Sequence, residues 1–217
     1  YTYSLDRELL LELNIMDYPF TFWQYFNLDC SMIPDTTSSS PAEIFQHYIS
    51  IVPPYNFSDE NLTYFEPYVY QSLAELGAPA YQTDYLEGKL KKVEIHSPGN
   101  PNYELVGPKG VNYTFNYNTV PDIYEWLQNS GQNIIYIYGK NDPWTAGAIE
   151  LTNRSNTTLF VMQEGANHRV KIADIDQPDS VFSALERWLG ITIRDASRKS
   201  IRSEKDLQGF RLGGAGE

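Results

Sequence analysis

Two short apolar runs in the C-terminal third constrain the fold more than any other feature of this sequence. They cover residues 133–138 and 158–162, and glycine or polar residues bound each run. Runs of this length are typical of strands in a parallel sheet whose two faces are buried. A short helix is predicted over residues 146–151 between the runs, and a second over residues 178–189 after them. The resulting order of strand, helix, strand and helix predicts an α/β fold.

The first part of the chain has the spacing of helices rather than of strands. Apolar residues recur at helical spacing over residues 5–16, and residues 67–76 form another helical pattern that ends at a glycine. Between them, Ser40-Pro41-Ala42-Glu43 has the form of a capping box with proline at the first helical position, and this helix must stop at Pro53-Pro54. The aromatic residues of segment 18–26 are assigned to packing a core rather than to lining a pocket.

These patterns divide the chain into three segments. Residues 1–80 are predicted to form a helical cap subdomain, residues 81–190 the domain that contains the sheet, and residues 191–217 a flexible or peripheral tail. Repeated turn signals over residues 81–118 predict loops and short strands, and a short helix is predicted over residues 121–129. Function is expected at the strand ends of the second segment, because ligands of open parallel sheets bind there.

The charge of the chain excludes one class of partner. The formal net charge is -12 and the isoelectric point is near 4.6, whereas a surface that binds nucleic acid needs clustered lysine and arginine. No apolar run approaches the roughly 18 residues that span a bilayer, so no membrane span is predicted. Because Cys30 is the single cysteine and no histidines lie at ligand spacing, we expect neither a metal nor another cofactor.

An aspartate and a histidine follow the two predicted strands in corresponding places. Asp142 lies in the loop after the first strand, and His168 lies in the loop after the second. A carboxylate that bonds an imidazole fixes its tautomer and stabilises the imidazolium that forms when the histidine takes a proton. Acid before histidine is also the chain order of α/β-hydrolases. The two residues therefore predict the acid and the base of a catalytic triad.

Each of these residues also has an alternative interpretation. Asp142 followed by proline is common in turns and at the start of helices, and an isolated histidine after a strand is often structural. Their joint occurrence at neighbouring strand ends, in this order, favours the triad. His47, in a capped helix, and His96, beside Ser97-Pro98, are interpreted as structural.

The loops around the two residues resemble those of a known peptidase family. Tyr138-Gly139-Lys140-Asn141-Asp142-Pro143-Trp144 and Gly165-Ala166-Asn167-His168 are similar to the acid and histidine loops of the S37 tripeptidyl aminopeptidases, relatives of the S28 prolyl peptidases. Segments 18–25 and 66–71 resemble the helical cap of that family. The resemblance covers residues 5–190 and implies the C-terminal part of an α/β-hydrolase parallel sheet with an N-terminal helical cap.

The resemblance also implies an activity. Members of the family are serine exopeptidases that remove short peptides, commonly tripeptides, from a substrate with a free N-terminus, and the cap restricts access. The acidic charge of this chain is compatible with recognition of an ammonium group. A secreted or periplasmic location is implied by the family alone.

One expected motif is missing from these residues. The nucleophile elbow Gly-x-Ser-x-Gly occurs nowhere in the sequence. We therefore expect the serine and the oxyanion-hole donors to lie in an N-terminal half outside this chain, and we expect the chain alone to be inactive. Two alternatives stay open: a non-catalytic binding module that keeps the scaffold, and an esterase or lipase with a different cap.

Overall fold

The computed structural model describes residues 1–26, 29–78, 81, 84–93, 105–152 and 157–194. The chain forms two compact units. The first consists of Tyr1–Phe22 and Leu28–Ile123, and the second of Trp23–Asn27 and Tyr124–Glu217. The predicted three-segment division and the predicted character of the tail stay predictions, and residues 195–217 lie outside the described residues.

Helix α1, Arg7–Tyr25, is longer than the predicted helix over residues 5–16. The side chain of Asp6, the residue before the helix, accepts the N–H groups of Glu8 and Leu9 at 3.1 and 3.2 Å. The helix continues through Pro19, which removes one helical hydrogen bond. The predicted end at residue 16 was wrong because the helix buries side chains beyond that point. One of them is Phe22, whose exposed fraction is 1%.

The capping-box prediction for the second helix is confirmed. The hydroxyl of Ser40 accepts the N–H of Glu43 at 3.3 Å, and the Glu43 carboxylate accepts the N–H of Ser40 at 2.7 Å. Helix α2 covers Pro41–Ile51 and ends before Pro53-Pro54, as predicted.

The third helix begins earlier than predicted. Helix α3 covers Asp59–Gln71, and the hydroxyl of Ser58 caps it. A π-helical turn, Ser72–Leu76, follows and ends at Gly77, whose φ of 74° suits glycine. The start at residue 67 was wrong because Pro67 lies inside the helix, while the real start carries Ser58 and two acidic residues that complement the helix dipole.

A cluster of buried side chains forms a core in the first unit. Its members come from α1, from the 3₁₀ turn Pro54–Phe57 and from the segment after residue 84: they are Leu13, Met16, Phe57, Leu86 and Val93. The short strands predicted over residues 81–118 are absent from the described parts of that range, which hold turns, the 3₁₀ turn Asp84–Leu86 and two helical residues at 105–106. Closely spaced glycines and prolines there favour turns over strand pairing.

The second unit contains both predicted strands. Helix α4, Thr119–Asn129, precedes β1, Ile134–Gly139, and β1 pairs in parallel with β2, Thr158–Gln163. The register runs from Ile134 opposite Thr158 to Gly139 opposite Gln163, so the two strands end at the same place. Helix α5 covers Pro178–Leu189, the predicted range, and Gly190 after it has the left-handed conformation that often ends a helix.

The sheet is smaller and less buried than the apolar runs suggest. In the described residues it has two strands, and within them Tyr136, Gly139 and Gln163 are the buried positions. The helix predicted over residues 146–151 is instead a 3₁₀ turn, Pro143–Gly147. The architecture is a mixture of helices with a small parallel sheet, which is compatible with the predicted α/β fold. No helix in the described part of the chain is long and apolar enough to cross a membrane.

Candidate active site

Two loops leave the common end of β1 and β2, the acid loop, Lys140–Trp144, and the histidine loop, Glu164–His168. Backbone hydrogen bonds join them. The N–H of Lys140 donates to the carbonyl of Gln163 at 3.0 Å, and the N–H of Asn141 donates to the carbonyl of Ala166 at 2.9 Å. These two bonds lie beyond the end of the parallel ladder and fix one loop against the other.

Gly139, the last residue of β1, permits this close approach. A Cβ atom at this position would lie 2.6 Å from the carbonyl oxygen of Ala166 and closer still to that of Asn167. Both obstacles are backbone atoms, so no side-chain movement would relieve the overlap. The acid loop can reach the histidine loop only because residue 139 has no side chain.

Asp142 and His168 form the predicted pair. Oδ2 of Asp142 lies 2.7 Å from Nδ1 of His168, and the exposed fractions of the two side chains are 8% and 47%. A carboxylate oxygen accepts hydrogen bonds, so in the neutral imidazole this contact favours the tautomer with the proton on Nδ1 and the lone pair on Nε2. The structure thus brings together both residues that the sequence singled out.

The capping interpretation of Asp142 is also correct. Its second oxygen, Oδ1, accepts the N–H of Trp144 at 3.1 Å and caps the 3₁₀ turn that follows. One carboxylate oxygen therefore holds the acid loop while the other bonds the histidine. Asp142 can therefore both cap the turn and bond His168, because the capping bond holds its carboxylate within hydrogen-bond distance of the imidazole.

The histidine loop has its own internal supports. Gly165 has a φ of 70°, which lets the chain turn sharply after β2. The buried side chain of Asn167 accepts the N–H of Arg169 at 3.0 Å, so it forms a turn around His168. The buried Gln163 accepts the N–H of Asp176 at 2.8 Å and ties the strand end to the segment before α5.

An exposed ion pair also links the loops. Nζ of Lys140 lies 2.5 Å from Oε1 of Glu164, with side-chain exposed fractions of 56% and 71%. Exposed pairs of this kind contribute about 0–1 kcal/mol. The backbone bonds and Gly139, rather than this pair, hold the loops together.

The last turn of α1 contacts the histidine within the second unit. The N–H of His168 donates to the carbonyl of Gln24 at 3.1 Å. The ring of Tyr25 lies edge-to-face on the imidazole, with 5.8 Å between centroids. Sequence reasoning missed both residues, because it assigned their segment to core packing. That assignment holds for Phe22, which is 1% exposed, but not for Tyr25, which is 37% exposed.

Comparison with known proteins gives the family. The model described as PS-10 peptidase S37 matches residues 2–201. This chain belongs to that family. The resemblance found in the sequence is thereby confirmed.

One curated relative is similar to this S37 chain over most of its length. It is the prolyl tri/tetrapeptidyl aminopeptidase of Streptomyces mobaraensis, which is 27% identical over 203 residues. The alignment covers 90% of this chain and 41% of the relative. The S37 chain therefore spans about two-fifths of the relative's length. No solved structure matches.

The pair can act as a base, and the described residues offer it no nucleophile. No hydroxyl in the described part of the S37 chain bonds Nε2 of His168. The same part holds no group of three or more histidine, cysteine, aspartate or glutamate side chains that could bind a metal. His47 bonds the hydroxyl of Tyr18 at 2.7 Å, and His96 lies outside the described residues.

Proposed function

We propose that this S37 chain supplies the acid, Asp142, and the base, His168, of a serine exopeptidase whose nucleophile lies outside the 217 residues. The observation that carries the proposal is the 2.7 Å bond from the half-exposed His168 to the buried Asp142 carboxylate. A buried acid that fixes the tautomer of a half-exposed imidazole is the arrangement that a general base needs. Family membership supports a peptidase.

The two residues would divide the proton chemistry. Nε2 of His168 accepts the proton of the serine hydroxyl while the serine oxygen attacks the carbonyl carbon of the scissile peptide bond. Asp142 stabilises the imidazolium that results. The imidazolium then gives the proton to the leaving amine, and the acyl-enzyme forms. In the second half, His168 takes a proton from water while the water oxygen attacks the acyl carbon. The imidazolium then returns a proton to the serine oxygen as the bond between that oxygen and the acyl carbon breaks, which releases the acid product and regenerates the serine.

The proposed scaffold is the C-terminal part of an α/β-hydrolase sheet with a helical cap formed by the N-terminal segment. Two parallel strands whose ends carry an acid and then a histidine support this proposal. The helices α1, α2 and α3 in the first part of the chain are compatible with a cap.

The proposed substrates are peptides with a free N-terminus, from which short peptides are released. The relative from Streptomyces mobaraensis is named as a prolyl tri/tetrapeptidyl aminopeptidase, which supports this class of substrate. The formal charge of -12 favours approach of a cationic ammonium group. A secreted or periplasmic location accompanies the proposal.

The proposal is tested on the intact gene product with Asp142→Asn and His168→Ala. Each change should lower kcat/KM for peptides with free N-termini by about 10³- to 10⁴-fold, because the base loses its orientation or is absent. The matched control is Asp122→Asn, since Asp122 is an exposed aspartate on α4. It should leave turnover unchanged.

A fluorophosphonate reagent separates the alternatives. The wild-type protein should be labelled on one serine, the His168→Ala protein should not, and a chelator should not reduce turnover. A binding module would show neither labelling nor hydrolysis. An esterase would be labelled and would cleave esters but not peptides. Wild-type turnover in the His168→Ala protein would refute the assignment.

A further inference from the structure

The end of α1 is bonded to the histidine loop through the backbone. The last four carbonyl groups of an α-helix have no partner within the helix and must find one elsewhere. The carbonyl of Gln24, in the last turn of α1, accepts the N–H of His168 at 3.1 Å. His168 therefore satisfies a helix end, and this bond fixes its backbone independently of Asp142.

The side chain of Tyr25 is restrained in its contact with the imidazole. Nε2 of the buried Gln24 donates to the hydroxyl of Tyr25 at 3.0 Å. The guanidinium of Arg169 lies over the Tyr25 ring, 5.5 Å from its centroid. The two rings of Tyr25 and His168 meet at 86°, the edge-to-face arrangement that aromatic pairs favour. Gln24 and Arg169 therefore restrain the Tyr25 ring in its contact with the histidine.

A single hydrogen bond leaves the orientation of an imidazole loosely defined. Rotation about χ2 of histidine meets a broad potential, so the bond from Nδ1 to Asp142 permits a range of ring planes. The side chain of His168 is 47% exposed, so neighbouring atoms cover only part of the ring and restrict its rotation little. Tyr25 supplies a restraint on the ring plane that Asp142 does not.

We infer that Tyr25 is a positioning residue that sets the plane of the His168 ring and hence the direction of Nε2. This inference rests on the proposed function, since the direction of Nε2 matters only if His168 is the base. Tyr25 acts through its aromatic ring, which contacts the imidazole, while its hydroxyl accepts a hydrogen bond from Gln24.

The kinetic test compares Tyr25→Leu with Tyr25→Phe in the intact gene product. Tyr25→Leu should lower kcat about 10-fold and leave KM within about twofold, because a misdirected base slows chemistry without removing a substrate contact. Tyr25→Phe keeps the ring and should retain kcat. The control is Tyr64→Leu, since Tyr64 is a helical tyrosine that is 77% exposed. An unchanged kcat in Tyr25→Leu, or a raised KM at unchanged kcat, would overturn the inference.

A second measurement does not depend on turnover. In protein labelled at histidine, the ring-proton resonances of His168 are assigned by their loss in His168→Gln. The ring current of Tyr25 should shift these resonances, and the shift should persist in Tyr25→Phe and vanish in Tyr25→Leu. Resonances that are the same in all three proteins would refute the contact. If the resonances respond but Asp142→Asn and His168→Ala do not affect hydrolysis, the proposed function fails and the positioning of the ring stands.

Discussion

Gly139 sets the distance between the two site loops at the scale of a single residue. The carbonyl groups of Ala166 and Asn167 occupy the space that a side chain at position 139 would need. The same residue accepts the hydroxyl of Thr145 at 2.7 Å through its carbonyl, so its backbone cannot move without breaking a bond in the acid loop. The contact between Asp142 and His168 depends on this one missing Cβ atom.

The substitution Gly139→Ala should therefore separate the two loops. The added carbon would lie 2.6 Å from the oxygen of Ala166, and overlaps of this kind typically cost about 1–3 kcal/mol of stability. A displacement near 1 Å at the base should lower kcat/KM about 10²-fold. Urea unfolding and peptide hydrolysis by the intact gene product measure the two effects.

The matched control is Gly147→Ala, in the 3₁₀ turn that follows Asp142. A Cβ atom there would meet no other atom within 4 Å. This variant should match the wild type in stability and in kcat/KM. Equal behaviour of Gly139→Ala and Gly147→Ala would contradict the role of Gly139.

Residue patterns predicted the acid and the histidine but not their neighbours. Asp142 and His168 could be found because strand ends in a parallel sheet converge on one rim, a rule that needs only local sequence. Gln24 and Tyr25 could not be found in this way, since they contact His168 although they lie far from it in the sequence. No local spacing encodes a contact over that separation.

At the scale of the element, predictions of helix ends failed where burial competes with proline. The interior prolines Pro19 and Pro67 argue for a boundary, yet α1 and α3 both run through them. In α1 the buried Phe22 beyond Pro19 explains the longer helix, whereas in α3 the cap at Ser58 sets the earlier start. By contrast, the start of α2 was predicted correctly because a capping box is a local hydrogen-bond pattern.

Helix α1 also carries a buried carboxylate that holds another segment. Glu12 is 8% exposed and accepts the N–H groups of Lys91, Lys92 and Val93 at 2.7, 2.8 and 2.9 Å. Burial raises the pKa of Glu12, but the three backbone bonds and the charge of Lys92 together outweigh it and hold the pKa below 4.5. The ionised form therefore stabilises the folded first unit.

The substitution Glu12→Gln should lower the free energy of unfolding by about 1–3 kcal/mol at pH 7, because the amide replaces one acceptor oxygen by a donor that faces N–H groups. The pKa of Glu12 is lower in the folded state, so its stabilisation is present above pH 4.5 and is lost as the pH falls through the folded value. The difference from wild type should therefore shrink in acid.

Urea unfolding at neutral and acidic pH measures this change. The control is Glu87→Gln, an exposed glutamate in the same unit, which should alter stability by less than about 0.5 kcal/mol at either pH. A Glu12→Gln protein as stable as wild type at pH 7 would show that the three bonds contribute nothing.

At the scale of the whole molecule, the proposed catalytic triad is incomplete in this chain. Asp142 bonds His168, yet none of the 217 residues form the Gly-x-Ser-x-Gly motif. Its family could be predicted because the sequence around Asp142 and His168 is distinctive, and the family comparison confirms it. The division into two units could not be predicted from the sequence. Helix α1 supplies residues to both units, and its hydrophobic pattern shows no break where one unit ends and the other begins.

The last prediction follows from this incomplete apparatus. The 217 residues expressed alone should release no peptide from substrates with free N-termini, whereas the intact gene product should, because no nucleophile elbow in these residues presents a serine to the proposed base. Loss of a triad member normally leaves about 10³- to 10⁴-fold catalysis over water from the oxyanion hole and binding. Since the oxyanion donors are also expected outside these residues, turnover by the chain alone should fall below that of the intact His168→Ala protein. The resonances of His168 verify that the site of the shorter chain is folded, and substrates with blocked N-termini measure background cleavage. Hydrolysis by the folded 217-residue chain above that background would refute the prediction, because the nucleophile would then lie within it.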